Sequence, residues 1–272
     1  MRVALVGIDG VGKTTVLHRI REQEDIAVVH AVRGHEDPDS PFADLSVALA
    51  DASSAADDLG RVQLKVAVLY LQLCLFGPAE RQAVDRSRTL LADRHPLVDP
   101  LVYLPMFARV ERDTEPGSDV EAWWHKQQPG AAQAVSDWLL TCSGTTDPWE
   151  LGTDVLRWGT MPPHEMLSRL GRSFGVTLPD GVILLDLPVA QALRRTRERA
   201  RGSELHETRA FLSATHQRYG EVLDWMSEAR PDLAVRRVDC ADRSVDEVTE
   251  RVRGALESIA HASRNERVDT GH

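Results

Sequence analysis

The chain has 272 residues, 42% of them hydrophobic and 27% charged, which suits one large α/β domain, or one domain with an insertion, around a proper core. A formal net charge of −10 argues against a nucleic-acid or anionic-membrane surface, because either polyanion would be repelled overall. Cys74, Cys142 and Cys240 are odd in number and lack metal-ligand spacing, which reads as reduced thiols in a cytoplasmic protein.

In chain order, short apolar runs alternate with helical patterns. Predicted strands are Val3–Val6, Ile26–Val32, Thr89–Ala92, Val182–Leu185 and Leu233–Val238. Predicted helices include Lys13–Glu22, Arg61–Leu75, Val189–Arg199, Glu207–Glu228 and Val245–His261. The alternation implies a three-layer α/β/α fold, a parallel sheet with helices on both faces. Strand ends at Gly7, Asp93 and Asp186 then gather at one edge, where open α/β sheets bind ligands. The longest apolar run, Val66 to Phe76, is interrupted by Gln72 and falls short of the ~20 residues of a membrane span. The first apolar stretch is too short for a signal peptide and is committed to a core strand.

From about Val110 to Thr160 the rhythm breaks. This stretch carries Trp123, Trp124, Trp138, Trp149 and Trp158, five of the six tryptophans, and reads as a helical insertion packed onto the body by those rings. A substrate-pocket or dimer-interface role is the second reading of the same rings. Residues 1–261 form the expected domain, with the insertion at about 110–160 and an arginine-rich lid at about 194–207. The polar residues 262–272 lack periodicity and are expected to be a flexible tail.

The first strand leads into Gly7-Ile8-Asp9-Gly10-Val11-Gly12-Lys13-Thr14-Thr15, which fits the phosphate loop G-x-x-x-x-G-K-[ST]. Glycines let backbone N–H groups converge on phosphate oxygens, and the following helix adds the positive end of its dipole. Lys13 would neutralise the β and γ phosphates and Thr14 would join a magnesium shell, so ATP and Mg2+ are the implied cofactors. Asp9, Gly10, Val11 and Thr15 complete the loop. The third predicted strand ends in Asp93-Arg94, an acid suited to orient magnesium-bound water and a guanidinium suited to the transferred phosphoryl. Residues 194–201 hold five arginines in eight positions: Arg194, Arg195, Arg197, Arg199 and Arg201. On a helix, Arg194, Arg197 and Arg201 share one face and Arg195 and Arg199 another, a density that suits a lid closing on a triphosphate. Gln72 inside an apolar run would be costly to bury without partners, and its amide can donate and accept, as a base edge requires. Leu75 and Tyr103 could cover the two faces of such a ring.

With these elements together the chain resembles the P-loop deoxynucleoside kinases, and most closely the herpesvirus-type thymidine kinases. Asp93-Arg94-His95-Pro96 matches that family's D-R-H-P run, and Tyr103 sits ten residues past the aspartate, at the spacing of its base-stacking tyrosine. Gln72, followed by Gly77-Pro78, resembles its base-reading glutamine. Thr177–Pro188 is similar to its strand before the lid. Arg199, Arg201 and Glu204 resemble its R-x-R-x-x-E lid, and Tyr219-Gly220 a helical pair beyond it. The resemblance implies a kinase for the 5′-hydroxyl of a thymidine-like deoxynucleoside. Lys13, Arg94, Arg199 and Arg201 would stabilise charge, Arg195 and Arg197 would contact ATP, and Glu204 would bond the sugar. It implies an acid-proline base after the second strand. Asp37-Pro38, with Phe42 five residues on as the substrate-facing aromatic, fits that spacing better, and Glu36 is the alternative. Where the family has an arginine one turn after its tyrosine, this chain has Phe107, with Arg109 nearby. A thymidylate-type monophosphate kinase shares the loop, as does a kinase for a specialised nucleoside or other small alcohol. Against the first, Leu69 to Phe76 offers no cation for a substrate phosphate. A nucleotide-dependent switch would have no use for Gln72, Tyr103 and Glu204. The implied partner is a small nucleoside, with no nucleic acid or membrane, in a homodimer as is usual for related kinases.

Overall fold

The computed structural model describes residues 1–23, 26–37, 40–111, 115–198 and 208–269. The chain begins with β1 (Arg2–Val6), α1 (Lys13–Gln23), β2 (Ala27–His30) and a 3-10 turn at Gly34–Glu36. Then come α2 (Ala43–Leu59), α3 (Val62–Leu73), α4 (Phe76–Arg86), β3 (Leu90–Asp93) and α5 (Asp99–Val110). A helical run follows: α6 (Ser118–His125), α7 (Pro129–Ser143), α8 (Pro148–Trp158) and α9 (Pro163–Phe174). The chain finishes with β4 (Gly181–Asp186), α10 (Val189–Glu198), α11 (Arg209–Ala229), β5 (Ala234–Asp239) and α12 (Val245–Asp269). These elements divide between two compact units, Met1–Val29 with Arg81–His95 and Thr177–His272, and His30–Glu80 with Pro96–Val176.

The first unit is built on a parallel five-stranded sheet in the order β2-β3-β1-β4-β5, flanked by helices. Val3, Ala4, Leu5 and Val6 of the central strand are fully buried, which is why β1 is a continuous apolar run and does not alternate. Register places Leu5 opposite Asp93 and Val6 opposite Leu184, so Gly7, Asp93 and Asp186 emerge at the same edge, as expected. A Cβ on Gly181 would lie 2.8 Å from Ile259 Cδ1, so α12 lies tight against β4 there. Two expectations are corrected. β2 ends at His30, short of Val32. And α12 runs to Asp269, so residues 262–269 continue a helix where a flexible tail was expected; a helix already nucleated upstream propagates through polar residues of adequate propensity.

The second unit is helical, and it is larger than the expected insertion. Residues 110–160 do not stand apart: they fold with α2, α3, α5 and α9. Trp123, Trp138 and Trp158 make contacts within this unit. Trp123 is fully buried and donates to the Ala52 carbonyl of α2 at 3.3 Å. Trp158 meets Tyr70 edge-on at 5.8 Å, with the Arg169 guanidinium 5.0 Å over its ring. Backbones touch where glycine allows it: a Cβ on Gly152 of α8 would lie 2.0 Å from the Gln63 carbonyl oxygen of α3. Helix α2 was absent from the sequence reading. It buries Ser46, Ala48, Leu49, Ala52 and Ala56, a narrow stripe of mostly small residues, and ends at Gly60 in the left-handed region (φ 70°). Val62–Arg86 is long and apolar enough to cross a membrane by length and composition, but 67% of its apolar 18-residue window is buried inside the chain, where the stretch forms α3 and α4. All three cysteines are free. A hydrogen bond to Cys142, then burial, pushes the Cys74 thiol far up, and burial pushes Cys240 up to about 11, so both stay protonated.

Candidate active site

In the first unit, the loop between β1 and α1 takes backbone conformations that glycine makes cheap. Gly7, Gly10 and Gly12 have φ of 146°, 83° and 102°. A Cβ on Gly10 would lie 2.5 Å from the Ala192 carbonyl, so the loop rests on α10, whereas the space beside Gly12 is open. The N–H groups of Gly10 and Gly12 donate to no described residue, as an anion cradle requires. Lys13 is buried at 7% exposure and donates from Nζ to the carbonyls of Gly7 (2.8 Å) and Ile8 (3.2 Å). Val11 is buried and Thr15 exposed.

Thr14 Oγ1 donates to Asp93 Oδ2 at 3.4 Å, joining the start of α1 to the end of β3. Two hard oxygen donors side by side at a phosphate loop suit magnesium, which takes few protein ligands and keeps the rest of its shell as water and phosphate. No cluster of three or more His, Cys, Asp or Glu ligands exists among the described residues. Arg94 has φ 67°, in the left-handed region that non-glycine residues seldom adopt, and its N–H is held by the Leu5 carbonyl at 3.1 Å. Its guanidinium is fastened twice. One Nη pairs with Asp9, which also lies 4.0 Å from Lys13, and the other donates to Tyr219 Oη on α11 at 3.4 Å. His95 is fully buried; burial, then the charge of Arg2, pushes its imidazole down to about 3 and keeps it neutral. Arg195 donates to the Val11 carbonyl at 3.3 Å, so α10 grips the loop itself, while Arg194 and Arg197 are exposed. Arg199, Arg201 and Glu204 lie outside the described residues.

In the second unit, Gln72 sits in the last turn of α3 at 4% exposure. Its side-chain amide makes no hydrogen bond to a described residue. Leu75 and Tyr103 are buried, and Tyr103 stacks on Phe107 with centroids 6.2 Å apart. The position where the resemblance called for an arginine therefore holds a ring of the same stack, and Arg109 is exposed. Phe42 occupies the N-cap of α2, where no side chain caps the helix, and its ring lies 6.5 Å from that of Trp138. The two acids differ. Asp37 accepts from the His30 backbone N–H at 3.0 Å and lies 3.5 Å from His30 Nε2, whereas Glu36 pairs through Oε1 with Arg33 at 3.2 Å. Glu36 Oε2 is buried with no partner among the described residues.

No protein-family model matches the chain, and no curated protein sequence does. Solved structures do. Deoxyadenosine kinase from M. mycoides with bound dATP aligns at a TM-score of 0.55 and 15% identity, over 94% of this chain and 100% of that one. The same enzyme with the products dCMP and a flexible dCDP aligns at 0.53 and 15%, over 95% and 100%. Thymidylate kinase from Candida albicans aligns at 0.52 and 15%, over 96% and 92%. The fold is that of P-loop nucleotide kinases.

Within that fold, phosphate-side residues expected from sequence meet in two sets: Thr14 with Asp93, and Asp9 with both Lys13 and Arg94. Sequence patterning did not reveal Tyr219 as a member, because its partner is 125 positions away. It also did not reveal His216 as the partner of Asp186, whose Oδ1 lies 2.6 Å from His216 Nε2, nor His30 as the holder of Asp37.

Proposed function

We propose that the chain is an ATP-dependent nucleoside kinase of the deoxynucleoside type, nearest in its motifs to the herpesvirus-type enzymes, with a thymidine-like acceptor. The observation that carries this reading is Gln72, a residue only 4% exposed in the last turn of α3 whose amide bonds no described residue, in a chain that also carries a complete phosphate loop. Polar groups are buried without partners at a cost of several kcal/mol in apolar surroundings, about 2 to 7, unless a ligand completes them. A base edge with one donor and one acceptor does so.

The roles follow from chemistry. The open N–H groups of Gly10 and Gly12 and the ammonium of Lys13 take the phosphates of ATP. Magnesium beside Thr14 and Asp93 would supply neutralising charge for those phosphates when bound. Arg94, oriented by Asp9 and Tyr219, stabilises charge on the transferred group, assisted by Arg199 and Arg201 of the lid. Gln72 reads the base, Leu75, Phe42 and Tyr103 cover it, and Glu204 bonds the sugar. Of the two candidate bases, Glu36 takes the 5′-hydroxyl proton. Asp37, which the spacing favoured, already serves the His30 backbone, and Glu36 keeps one carboxylate oxygen for the task. The hydroxyl oxygen then attacks the γ-phosphorus in line, releasing ADP.

The test is ADP release from ATP and magnesium against thymidine, deoxycytidine, deoxyadenosine, deoxyguanosine, uridine and thymidine monophosphate. Stimulation by a nucleoside, abolished in Lys13→Ala and cut at least 100-fold in Gln72→Ala, is the expected result (about 3 kcal/mol for a base edge left unread). Stimulation by the monophosphate alone would replace this reading with the thymidylate type. No stimulation by any acceptor would refute it.

A further inference from the structure

Helix α3 ends irregularly, and the irregularity carries information. A regular last turn would have the Leu75 N–H donate to the Leu71 carbonyl. Cys74 N–H still donates to Tyr70 at 3.0 Å, but Leu75 N–H donates to the Gln72 carbonyl at 3.1 Å, a tighter i→i−3 bond. The Leu71 carbonyl is thereby released from the helix. It is taken up by the indole N–H of Trp138 at 2.9 Å, from α7, 67 positions further along the chain. Trp138 thus caps the helix end one residue from Gln72. The same indole, half-buried, meets the Phe42 ring at 6.5 Å with 34° between planes. Phe42 is itself an odd choice: an N-cap position favours an oxygen-bearing side chain, and a phenyl group there satisfies no backbone N–H. Trp138 and Phe42 thus bring two partly exposed rings to the end of the helix that carries the Gln72 amide. That is the equipment for holding a planar heteroaromatic ring by its edge and its face.

We propose that Trp138 determines acceptor specificity, positioning the Gln72 amide through the Leu71 carbonyl and forming with Phe42 an aromatic wall for the base. This rests on the nucleoside kinase reading. It adds that the tryptophan-rich segment is part of the base site and not only packing, and that the acceptor is a nucleoside whose base is a flat ring with an amide-like edge.

The experiment uses the full chain, its Trp138→Phe variant and its Phe42→Leu variant, each checked for a native melt. Trp138→Phe keeps an aromatic ring and loses the N–H. Two readouts are taken with the nucleosides of the panel: quenching of tryptophan fluorescence by nucleoside without ATP, and KM for nucleoside and for ATP. The expected result is quenching in the native chain that is largely lost in Trp138→Phe. Nucleoside KM rises at least about 5-fold in that variant with ATP KM unchanged, the loss of one hydrogen bond. Phe42→Leu, which keeps the cap, alters the ratio of activities between nucleosides while retaining the quench. Quenching and nucleoside KM unchanged in Trp138→Phe, with an unaltered ratio in Phe42→Leu, would overturn the inference and leave the kinase reading standing. A native chain that neither turns over ATP with any acceptor nor shows quenching would overturn both.

Discussion

One glycine offers a stringent test of how helix α3 is held. Gly152 lies in α8 where that helix touches α3, and a Cβ there would sit 2.0 Å from the Gln63 carbonyl oxygen, 2.6 Å from its carbon and 2.9 Å from its Cα. Ordinary contact begins at 3.4 Å, so Gly152→Ala forces the two backbones apart by about 1.4 Å, with no flexible side chain to give way. Overpacking of that kind costs about 3 kcal/mol, and the better helix propensity of alanine returns about 1 kcal/mol, leaving about 2 kcal/mol of net destabilisation. For a chain of this size that lowers the melting temperature by about 4–8 °C. The same substitution at Gly254, exposed inside α12, meets no atom within 4 Å at an ordinary φ. Gly254→Ala should therefore gain about 0.5–1 kcal/mol and melt slightly higher. Differential scanning calorimetry on the two variants reads both signs. A melting temperature for Gly152→Ala within 1 °C of the native chain, or above it, would refute the backbone-contact argument.

Two further outcomes are expected. The His95 imidazole is held near 3 when folded against about 6.5 when unfolded, so the unfolded chain binds the extra proton in between. Its contribution to stability is full above pH 6.5 and is lost as pH falls toward 3, by at most about 1.4 kcal/mol per pH unit. Urea unfolding at pH 7 and pH 5 should differ by about 2 kcal/mol on this account, and His95→Asn should lack that part of the slope; an equal slope in both proteins would exclude it. Tyr219→Phe removes the hydroxyl that holds one arm of Arg94. It should lower the transfer rate about 5-fold with ATP KM little changed, and an unchanged rate would assign Tyr219 to packing alone.

Features whose physics is local were legible in the sequence. The loop from Gly7 to Thr15 needs positive φ at fixed spacing and a strand before it, and it adopts φ of 146°, 83° and 102° at Gly7, Gly10 and Gly12. Helix α3, expected at 61–75 and observed at Val62–Leu73, could be read because its apolar residues are nearly continuous. Helix α2 could not. Its buried stripe is largely alanine and serine, and its N-cap is phenylalanine, so neither a strong moment nor a capping signal marks it. Lid residues Arg199, Arg201 and Glu204 stay expectations of sequence. What tertiary structure alone decided is which partners each polar group finds: Tyr219 for Arg94, His30 for Asp37, Trp138 for the Leu71 carbonyl. Sequence by itself determined the phosphate loop, the strand that ends in Asp93 and the glutamine left in an apolar helix, because backbone sterics and desolvation act within a few residues. Orientation of Arg94, the different partners of Glu36 and Asp37 and the packing of Trp123, Trp138 and Trp158 depend on hydrogen bonds and ring contacts. Their partners lie on other elements, and only packing brings those elements together.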